Sequence, residues 1–387
     1  TRSSVPIRAM SIASFFKPAG NKRVRDEEDA TASGAPTRHV QTIATWNANS
    51  LFQRIQHDGL ALAEFFRTHA PDVLFISEVR SPALGPPGCK KGDGLPRQHG
   101  KFSRTTKALA EEADAVARLC KEHGYRAYWS LAEFKYSGCG LLVRTACTQP
   151  HSVRFNIDGE SAPHVHHKDG RVIRASFEQF DLLGTYSPNN GTAEESFARR
   201  RAWDAACLAM LQAPRHSPLV WVGDLNVAAE WTDVGPDPHW FRFKNGQEAA
   251  SVDDRGQPGF TPNEQRRFAM LLHEGGLVDA YRSLHPNPDW QRDVTWRGTP
   301  GRDGVPELGR YYNKGMRIDY VLVDKQLEHC VESVEVLGKG ADRQGFMGSD
   351  HCPVMVKLRF DATKRAEKGA EHEASGSRCV QSVPSRE

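Results

Sequence analysis

The sequence predicts an α/β protein, and three observations support this fold class. Short apolar runs of strand length alternate with segments of helical periodicity between residues 39 and 361. Some of these runs are apolar at almost every position, which is typical of strands covered on both faces by helices. Hydrophobic residues make up 39% of the 387 residues, and this share is enough to build a core.

The predicted elements follow one another as alternating strands and helices. The strands are VQTIATWN at 40–47, VLFISEV at 73–79, GLLVRT at 140–145, LLGTYS at 182–187, LVWVGDLN at 219–226, IDYVLV at 318–323 and PVMVKL at 353–358. The helices cover about 59–69, 104–122, 194–212 and 262–274. The last helix has a defined start, because Thr261 suits the N-cap, Pro262 the first helical position and Glu264 the capping box.

Both ends of the chain differ in composition from its centre. Residues 1–38 and 362–387 are rich in small, polar and charged residues, which predicts disordered tails around a globular domain at 39–361. The net charge of +3 arises in the N-terminal tail, so the centre is neutral and would need local basic patches to bind nucleic acid. Three basic runs are candidates, at residues 90–91, 199–201 and 266–267. We expect each to be the solvated face of a helix or loop.

Other features suggest no separate chemistry. The eight cysteines are scattered without a CxxC pair, which predicts reduced thiols and an intracellular protein. No apolar run has the length of a membrane span, so we expect no membrane partner, and we expect a monomer. His164, His166 and His167 lack carboxylates at ligand spacing, so a surface loop is expected there rather than a metal site. The segment 231–258 has turn residues but little periodicity, and such a long loop is usually functional or disordered.

The stretch VWVGDLN at residues 220–226 ends a predicted buried strand on two polar side chains. Alternate strand residues share a face, so Asp224 and Asn226 point the same way, although the same residues also favour an Asx-type turn. Other predicted strands also end near polar groups: Asn47, Asn49, Glu78, Tyr186, Asn189, Asp319, Asp350 and His351. Ligand sites of α/β sheets form beyond strand ends, so we expect these residues to meet in one site.

The residue types of this set suit phosphodiester hydrolysis. Glu78, Asp350 and the asparagine amides are hard oxygen donors, which favour Mg²⁺ or Mn²⁺ over Zn²⁺. Asp224 would have a proton affinity tuned by a metal and by other acids, and Asp319 would orient the imidazole of His351. The sequence holds no nucleophile motif around Ser or Cys and no phosphate-cradling GxxxxGK[ST] loop. An activated water is therefore the expected nucleophile.

Eight segments, in this order, resemble the exonuclease III family of apurinic/apyrimidinic (AP) endonucleases, within the DNase I-like metal-dependent phosphodiesterases. They are ATWNANSL, LFISEVR, YSGCGLLVR, GTYSPNNG, VGDLNVA, GFTPNEQRRF, NKGMRIDYVLV and GSDHCPV, between about residues 40 and 360. The resemblance implies a four-layer α/β sandwich of two packed mixed β-sheets with helices on the outer faces. It also implies metal-dependent cleavage of double-stranded DNA 5′ to abasic sites in base-excision repair, with 3′-phosphodiesterase or 3′–5′ exonuclease trimming as further activities.

The resemblance also implies roles for individual residues. The expected metal ligands are Glu78, as the main one, with Asn47, Asn49, Asp224, Asn226 and Asp350. The expected catalytic residues are Tyr186, Asp224, Asn226, Asp319 and His351. The expected substrate contacts are Asn189 and His351 at the phosphate and Trp296 and Met316 as walls of the abasic pocket, although ordinary core packing is the alternative for the last two.

The chain departs from the family pattern next to the expected metal site. Asn49 stands where some relatives carry Asp, and Ser77 precedes Glu78 where Gln is usual. Both changes would weaken or alter metal binding. The motifs GDLN and SDH occur widely in the superfamily, so an inositol-phosphate or sphingomyelin phosphodiesterase and an RNA deadenylase are alternative functions. A binding module that keeps the fold without catalysis is a third alternative.

The N-terminal tail contains a candidate partner motif. Ile12, Phe15 and Phe16 resemble the sliding-clamp (PCNA) interaction box, in which an aliphatic residue and two aromatic residues fill an apolar pocket. The usual leading Gln is Ala9, and a disordered tail is the alternative. The basic residues 22–25 suit a nuclear signal, while the absence of acids before Asp26 also suits a mitochondrial transit peptide. We expect a nuclear protein, with mitochondria as the alternative.

Overall fold

The computed structural model describes residues 38–90, 92–158, 162, 164–298, 310–340 and 342–360. Ile12, Phe15 and Phe16 lie outside the described residues, so the clamp motif and the cellular location stay predictions. Among the described helices, none is both long and apolar enough to cross a membrane.

The strands of the described residues form two large sheets and two small ones. In chain order they are β1 (Thr42–Asn47), β2 (Val73–Ser77), β3 (Ala83–Leu84), β4 (Gln98–Phe102), β5 (Tyr125–Ser130), β6 (Cys139–Arg144), β7 (Ser152–Arg154), β8 (Val172–Ser176), β9 (Asp181–Tyr186), β10 (Leu219–Asp224), β11 (Val234–Gly235), β12 (Leu277–Asp279), β13 (Trp296–Arg297), β14 (Gly315–Met316), β15 (Asp319–Asp324), β16 (Val331–Val336) and β17 (Val354–Leu358). The first sheet has the order β16-β17-β1-β2-β6-β5, and the second has the order β12-β15-β10-β9-β8-β7.

Each large sheet is mixed, because its central pair is parallel and the other pairs are antiparallel. The parallel pairs are β1 with β2 and β9 with β10. The two sheets share one apolar core, to which Phe75 and Val143 contribute from the first sheet and Val220 and Val321 from the second. Gly184 in β9 makes room for this packing, since a Cβ there would lie 2.3 Å from the ring of Phe75. Such close approach of the two faces is why the core excludes water.

Helices cover the outer face of each large sheet. The helices of the described residues are α1 (Leu51–His57), α2 (Gly59–Thr68), α3 (Lys107–Glu122), α4 (Glu194–Gln212), α5 (Pro238–Phe243), α6 (Pro262–Gly275), α7 (Ala280–Leu284) and α8 (Trp290–Asp293). Phe66 of α2 and Val116 of α3 pack against the outer face of the first sheet, and Trp203 of α4 and Phe268 of α6 pack against the second. The four-layer α/β sandwich of two mixed sheets is therefore confirmed.

Local signals in the sequence correspond to the observed helix boundaries. The side chain of Thr261 caps α6 and forms a capping box with Glu264, as predicted. The segment 231–258 is not a bare loop, since it contains β11, α5 and two short 3₁₀ turns at Trp231–Asp233 and Val252–Asp254. A small third sheet of order β11-β14-β13 joins this segment to Trp296 and Met316.

Candidate functional site

The ends of the central strands of both sheets meet at one edge of the sandwich. In the second sheet, Asp224 at the end of β10 lies opposite Tyr186 of β9 and opposite Asp319 at the start of β15. In the first sheet, Asn47 ends β1 beside Ser77, so that Glu78 follows directly after β2. Parallel neighbours end at the same edge, which is why residues so distant in the chain come together.

Asn47 connects the two sheets. Its buried Nδ2 donates to Glu78 Oε1 at 3.1 Å and to Asp224 Oδ2 at 2.9 Å. The Oδ1 of the same amide accepts from the backbone N–H of Asn49 at 3.0 Å. A single amide therefore holds a carboxylate from each sheet at one position, which fixes their separation.

Glu78 is surrounded by hydrogen-bond donors. Its backbone has φ of 52°, in the left-handed region, which turns the side chain out of the strand direction. The hydroxyl of Tyr186 donates to Oε1 at 2.7 Å, and Arg80 Nε donates to Oε2 at 2.6 Å. Arg80 was not predicted as part of the site, because a basic residue two positions after an acid does not indicate in the sequence where its side chain points. Both carboxylate oxygens thus have polar partners at the edge of the site.

His351, Asp319 and Asp224 form a buried charged cluster. His351 Nδ1 lies 2.8 Å from Asp319 Oδ2, and its Nε2 lies 3.9 Å from Asp224 Oδ2. Burial alone would lower the pKa of His351, but the charges of Asp319 and Asp224 raise it to about 10. Burial, together with the charge of Asp319, raises the pKa of Asp224 to about 7. The imidazole is therefore a cation at neutral pH, while Asp224 is poised to exchange a proton.

Asp350 is held on the other side of Asn49. Asn49 Nδ2 donates to Asp350 Oδ1 at 2.8 Å, and the indole N–H of Trp296 donates to Oδ2 at 3.1 Å. Burial would raise the pKa of Asp350, but the His351 charge and these two donors lower it below the ordinary value. Asp350 is thus an anion with both oxygens bound, and Asn49 bonds to it without adding a further charge.

Asn226 and Asn189 lie side by side on two loops. Asn226 has φ of 50°, which asparagine tolerates better than most residues, and Asn189 Nδ2 donates to its Oδ1 at 3.2 Å. Asn226 Nδ2 donates to the carbonyl of Ser187 at 2.9 Å. Each Nδ2 carries two N–H groups, and these bonds use one of them on Asn189 and one on Asn226. A second N–H on each amide is therefore available to another acceptor.

Trp296 and Met316 lie next to the charged site, in a small apolar cluster with Phe260 and Ile318. Trp296 is half-buried, while Met316 is 2% exposed and faces its partner strand opposite Trp296. Met316 is thus part of a local core, whereas Trp296 presents part of its ring at the surface beside Asp350. The structure brings both residues beside the polar set, and their roles as pocket walls stay predictions.

Two buried arginines, Arg171 and Arg200, support the site, and neither was predicted to be part of it. The guanidinium of Arg171 lies 4.7 Å from the ring centre of Tyr186 and donates to the hydroxyl of Tyr136 at 2.8 Å. Arg200 is 2% exposed, so the expectation that residues 199–201 face solvent is wrong for this residue. The reason is that Arg200 meets two carboxylates, Asp204 and Glu264, and several backbone carbonyls inside the protein. Asp204 stands four residues further along the same helix and could have been read from the sequence, whereas Glu264 and the loop carbonyls come from distant elements.

The donor set fits a divalent cation that prefers oxygen. Carboxylate oxygens of Asp224 and Asp319 lie within 4.8 Å of each other beside His351, and Asp319 Oδ1 is buried without a hydrogen-bond partner among the described residues. The protonated ring of His351 has no lone pair for a metal, so only the oxygen atoms count as donors. Glu78 and Asn47 add carboxylate and amide oxygens beside this cluster. Such oxygen-rich sites suit Mg²⁺, Mn²⁺ or Ca²⁺ rather than a structural Zn²⁺. Every residue of the predicted polar set lies in this one region.

Comparisons with known proteins show which sequences this chain resembles. The model of the Endonuclease/Exonuclease/phosphatase family matches residues 44–351. A protein of Arabidopsis thaliana named DNA-(apurinic or apyrimidinic site) endonuclease is 40% identical over 360 residues, which cover 91% of this chain and 94% of the relative. A protein of the same name from Plasmodium falciparum (isolate 3D7) is 34% identical over 88% of this chain, which spans 58% of that longer relative.

A solved structure shows the same fold. The AP endonuclease LMAP from Leishmania major superposes with a TM-score of 0.59 at 23% identity, over 88% of this chain and 92% of that one. At 23% identity this structural similarity establishes the fold alone. The family is established by the family model and by the relative that is 40% identical. The chain belongs to the endonuclease/exonuclease/phosphatase family, in the exonuclease III-like branch that contains the DNA-(apurinic or apyrimidinic site) endonucleases.

Proposed function

We propose that this protein is a Mg²⁺-dependent AP endonuclease, which hydrolyses the DNA phosphodiester 5′ to an abasic sugar. One observation carries the proposal: Asn47 bonds Glu78 and Asp224 across the two sheets, with His351 beside them. The two relatives named DNA-(apurinic or apyrimidinic site) endonuclease, at 40% and 34% identity, support the substrate class. Mn²⁺ is the alternative cation, because the same oxygen donors accept it.

The charged residues suit the proton and charge changes of phosphodiester hydrolysis. With a pKa of about 7, Asp224 can accept a proton from water near neutral pH. The protonated His351, held by Asp319, faces the same space and would stabilise negative charge on a phosphate oxygen. Glu78, with Asn47 and Asp350, would hold the metal ion, which would supply Lewis-acid stabilisation of the phosphate.

Neutral donors complete the phosphate side of the proposed site. The free N–H groups of Asn189 and Asn226 can donate to phosphate oxygens without adding charge. Tyr186 keeps its hydroxyl proton at all ordinary pH values, because burial and the charge of Glu78 raise its pKa well above the usual range. It therefore acts as a hydrogen-bond donor that orients Glu78 rather than as a base.

The apolar surface of Trp296 beside Asp350 supports selection of an abasic sugar. A sugar without a base can enter a narrow apolar pocket, whereas an intact nucleotide needs more space. Because the polar motifs are shared among phosphodiesterases, this wall is the feature that favours damaged DNA over a headgroup or an RNA end.

Product analysis tests the proposal. A duplex with one abasic site, a duplex with a 3′-phosphate, poly(A) and sphingomyelin would each be incubated with Mg²⁺ or with chelator. We expect incision 5′ to the abasic site, leaving a 3′-hydroxyl, in the Mg²⁺ reaction and none in the chelated reaction. Exclusive turnover of poly(A) or of the lipid headgroup would contradict the proposal. Cleavage of the 3′-phosphate at a higher rate would make end trimming the main activity.

A further inference from the structure

Arg200 of α4 reaches the back of the two loops that carry Asn189 and Asn226. One guanidinium nitrogen, Nη1, donates to the carbonyl of Pro188 and to the carbonyl of Asn226, both at 3.0 Å. We propose that Arg200 is a positioning residue that sets the separation of the two asparagine side chains for the substrate phosphate. This inference rests on the proposed function, because it assigns the two amides to the phosphate.

The remaining donors of the guanidinium fix its own position. Nη2 donates to the carbonyl of Leu225 at 3.0 Å, and Nε donates to both carboxylate oxygens of Asp204, at 2.9 and 3.1 Å. Asp204 is also bound by Arg267 Nε at 2.7 Å, and Glu264 lies 3.8 Å from Arg200. Two arginines thus face two carboxylates inside the protein. The effect of Arg200 on the reaction is therefore geometric, and not a long-range attraction of the DNA.

The two loops are connected on both sides. On the side of the site, Asn189 Nδ2 bonds Asn226 Oδ1, and Asn226 Nδ2 bonds the carbonyl of Ser187. On the buried side, Nη1 of Arg200 donates to a backbone carbonyl of each loop and so connects the two loops. Removing this connection leaves buried carbonyls without donors, which is unfavourable because a buried acceptor has no water to replace the lost partner. The loops would relax to recover partners, and the amides would move with them.

Lysine cannot replace this arrangement. A guanidinium group presents five N–H donors in a plane, and Arg200 uses that plane to reach Asp204 and both loops at once. The single ammonium nitrogen of lysine has three donors at one point. The substitution R200K would therefore keep the positive charge beside Asp204 but would lose part of the connection between the loops.

Substitutions separate positioning from a general structural effect. R200K would be compared with the matched control R199K, since Arg199 is the exposed neighbour on the same helix. Both changes would be made in the wild-type protein and in the N189A/N226A background. Initial rates on the abasic duplex at saturating Mg²⁺ give kcat and KM, and hydrogen exchange of residues 187–190 and 225–228 reports the loops.

We expect R200K to lower kcat by at least about tenfold in the wild-type background and by less than about twofold in the N189A/N226A background. The Mg²⁺ concentration for half-maximal rate should stay unchanged, because Glu78 lies on the other sheet. R199K should match the wild type. Equal losses from R200K in both backgrounds, or no loss in either, would overturn the inference.

Two further measurements keep the test decisive. If R200K melts below the assay temperature, D204N keeps the guanidinium but weakens its anchor, and it should give a smaller loss of kcat with the same dependence on the two amides. If the wild type does not incise abasic DNA, the proposed function fails. Faster hydrogen exchange of both loops in R200K would then still support the positioning role, whereas unchanged exchange would overturn it.

Discussion

His351 and Asp319 form a buried pair, with the Nδ1 of the imidazole 2.8 Å from Oδ2 of the carboxylate. Thr295 Oγ1 donates to the same carboxylate oxygen at 2.6 Å and fixes its orientation. Because the negative charges of Asp319 and Asp224 outweigh the effect of burial, the pKa of His351 is raised to about 10. The imidazole therefore stays protonated throughout the neutral and moderately alkaline range.

The first prediction concerns the pH dependence of D319N. Asparagine removes the largest of the negative charges that hold the proton on His351, so the pKa of the imidazole should fall. Below that lowered pKa the ring is still a cation, and above it the cation is lost. We expect kcat of the wild type to persist to about pH 9, whereas kcat of D319N should be lower by about 10²-fold and should begin to fall at a lower pH than kcat of the wild type.

Rates on the abasic duplex between pH 6 and 10 check this expectation. T295S is the matched control, because it keeps a hydroxyl beside Asp319 and should retain the alkaline behaviour of the wild type. An alkaline profile of D319N that runs parallel to that of the wild type would show that Asp319 does not maintain the imidazolium.

The second prediction concerns Glu78. In E78A the amide of Asn47 and the hydroxyl of Tyr186 lose their shared acceptor, and the expected main metal ligand is removed. We expect kcat to fall by at least about 10²-fold, while the Kd for abasic DNA measured in chelator changes little. The isosteric E78Q should recover part of the rate at high Mg²⁺. The exposed E122Q on α3 serves as the control, and unchanged cleavage by E78A would remove Glu78 from the metal site.

The central strands could be predicted because their side chains are buried on both sides. Runs such as VLFIS in β2 and LVWVGD in β10 carry no polar side chain before their last residue, and all their residues are buried in the structure. The edge strands β5 and β16 were not predicted. Their sequences, YRAYWS and VESVEV, mix charged and apolar residues, and most of their residues are only partly buried or exposed. Continuous hydrophobicity therefore identifies the centre of a sheet and not its margins.

The polar residues of the site could be predicted for a related reason. Asn47, Glu78 and Asp224 end apolar strands, where an acid or amide is unusual unless something binds it. The arginines that support them gave no such signal. Arg200 sits among charged residues on a helix, and only the packing of α4 against two loops shows that its side chain turns inwards. Which partner a long side chain meets depends on the pairing of distant elements.

The third prediction concerns selection of the abasic sugar by Trp296. W296A removes the half-buried indole wall and its hydrogen bond to Asp350. We expect the ratio of incision at abasic sites to incision at intact nucleotides to fall by about tenfold or more, since a wider pocket no longer excludes a base. W296F keeps an aromatic wall without the N–H donor and should keep the ratio while lowering kcat. Equal ratios for W296A and the wild type would mean that Trp296 is only a packing residue.

The last prediction concerns stability in acid and involves His167, outside the active site. Its ring packs edge-on against Trp203, with centroids 5.6 Å apart, and its Nδ1 accepts from the backbone N–H of Asp169 at 3.2 Å. Burial lowers the pKa of His167 to about 4, so the folded protein holds the ring neutral while the unfolded chain protonates it near pH 6.5. The free energy of unfolding is therefore unaffected by His167 above pH 6.5, and it decreases as the pH falls towards 4, because the unfolded chain then binds a proton that the folded protein does not.

We expect the Tm to drop by several degrees between pH 7 and 4.5, and to drop less in H167N, whose Oδ1 replaces the acceptor without taking a proton. The exposed His216 provides the control H216N, which should follow the wild type, and an equal drop in H167N and the wild type would contradict the assignment.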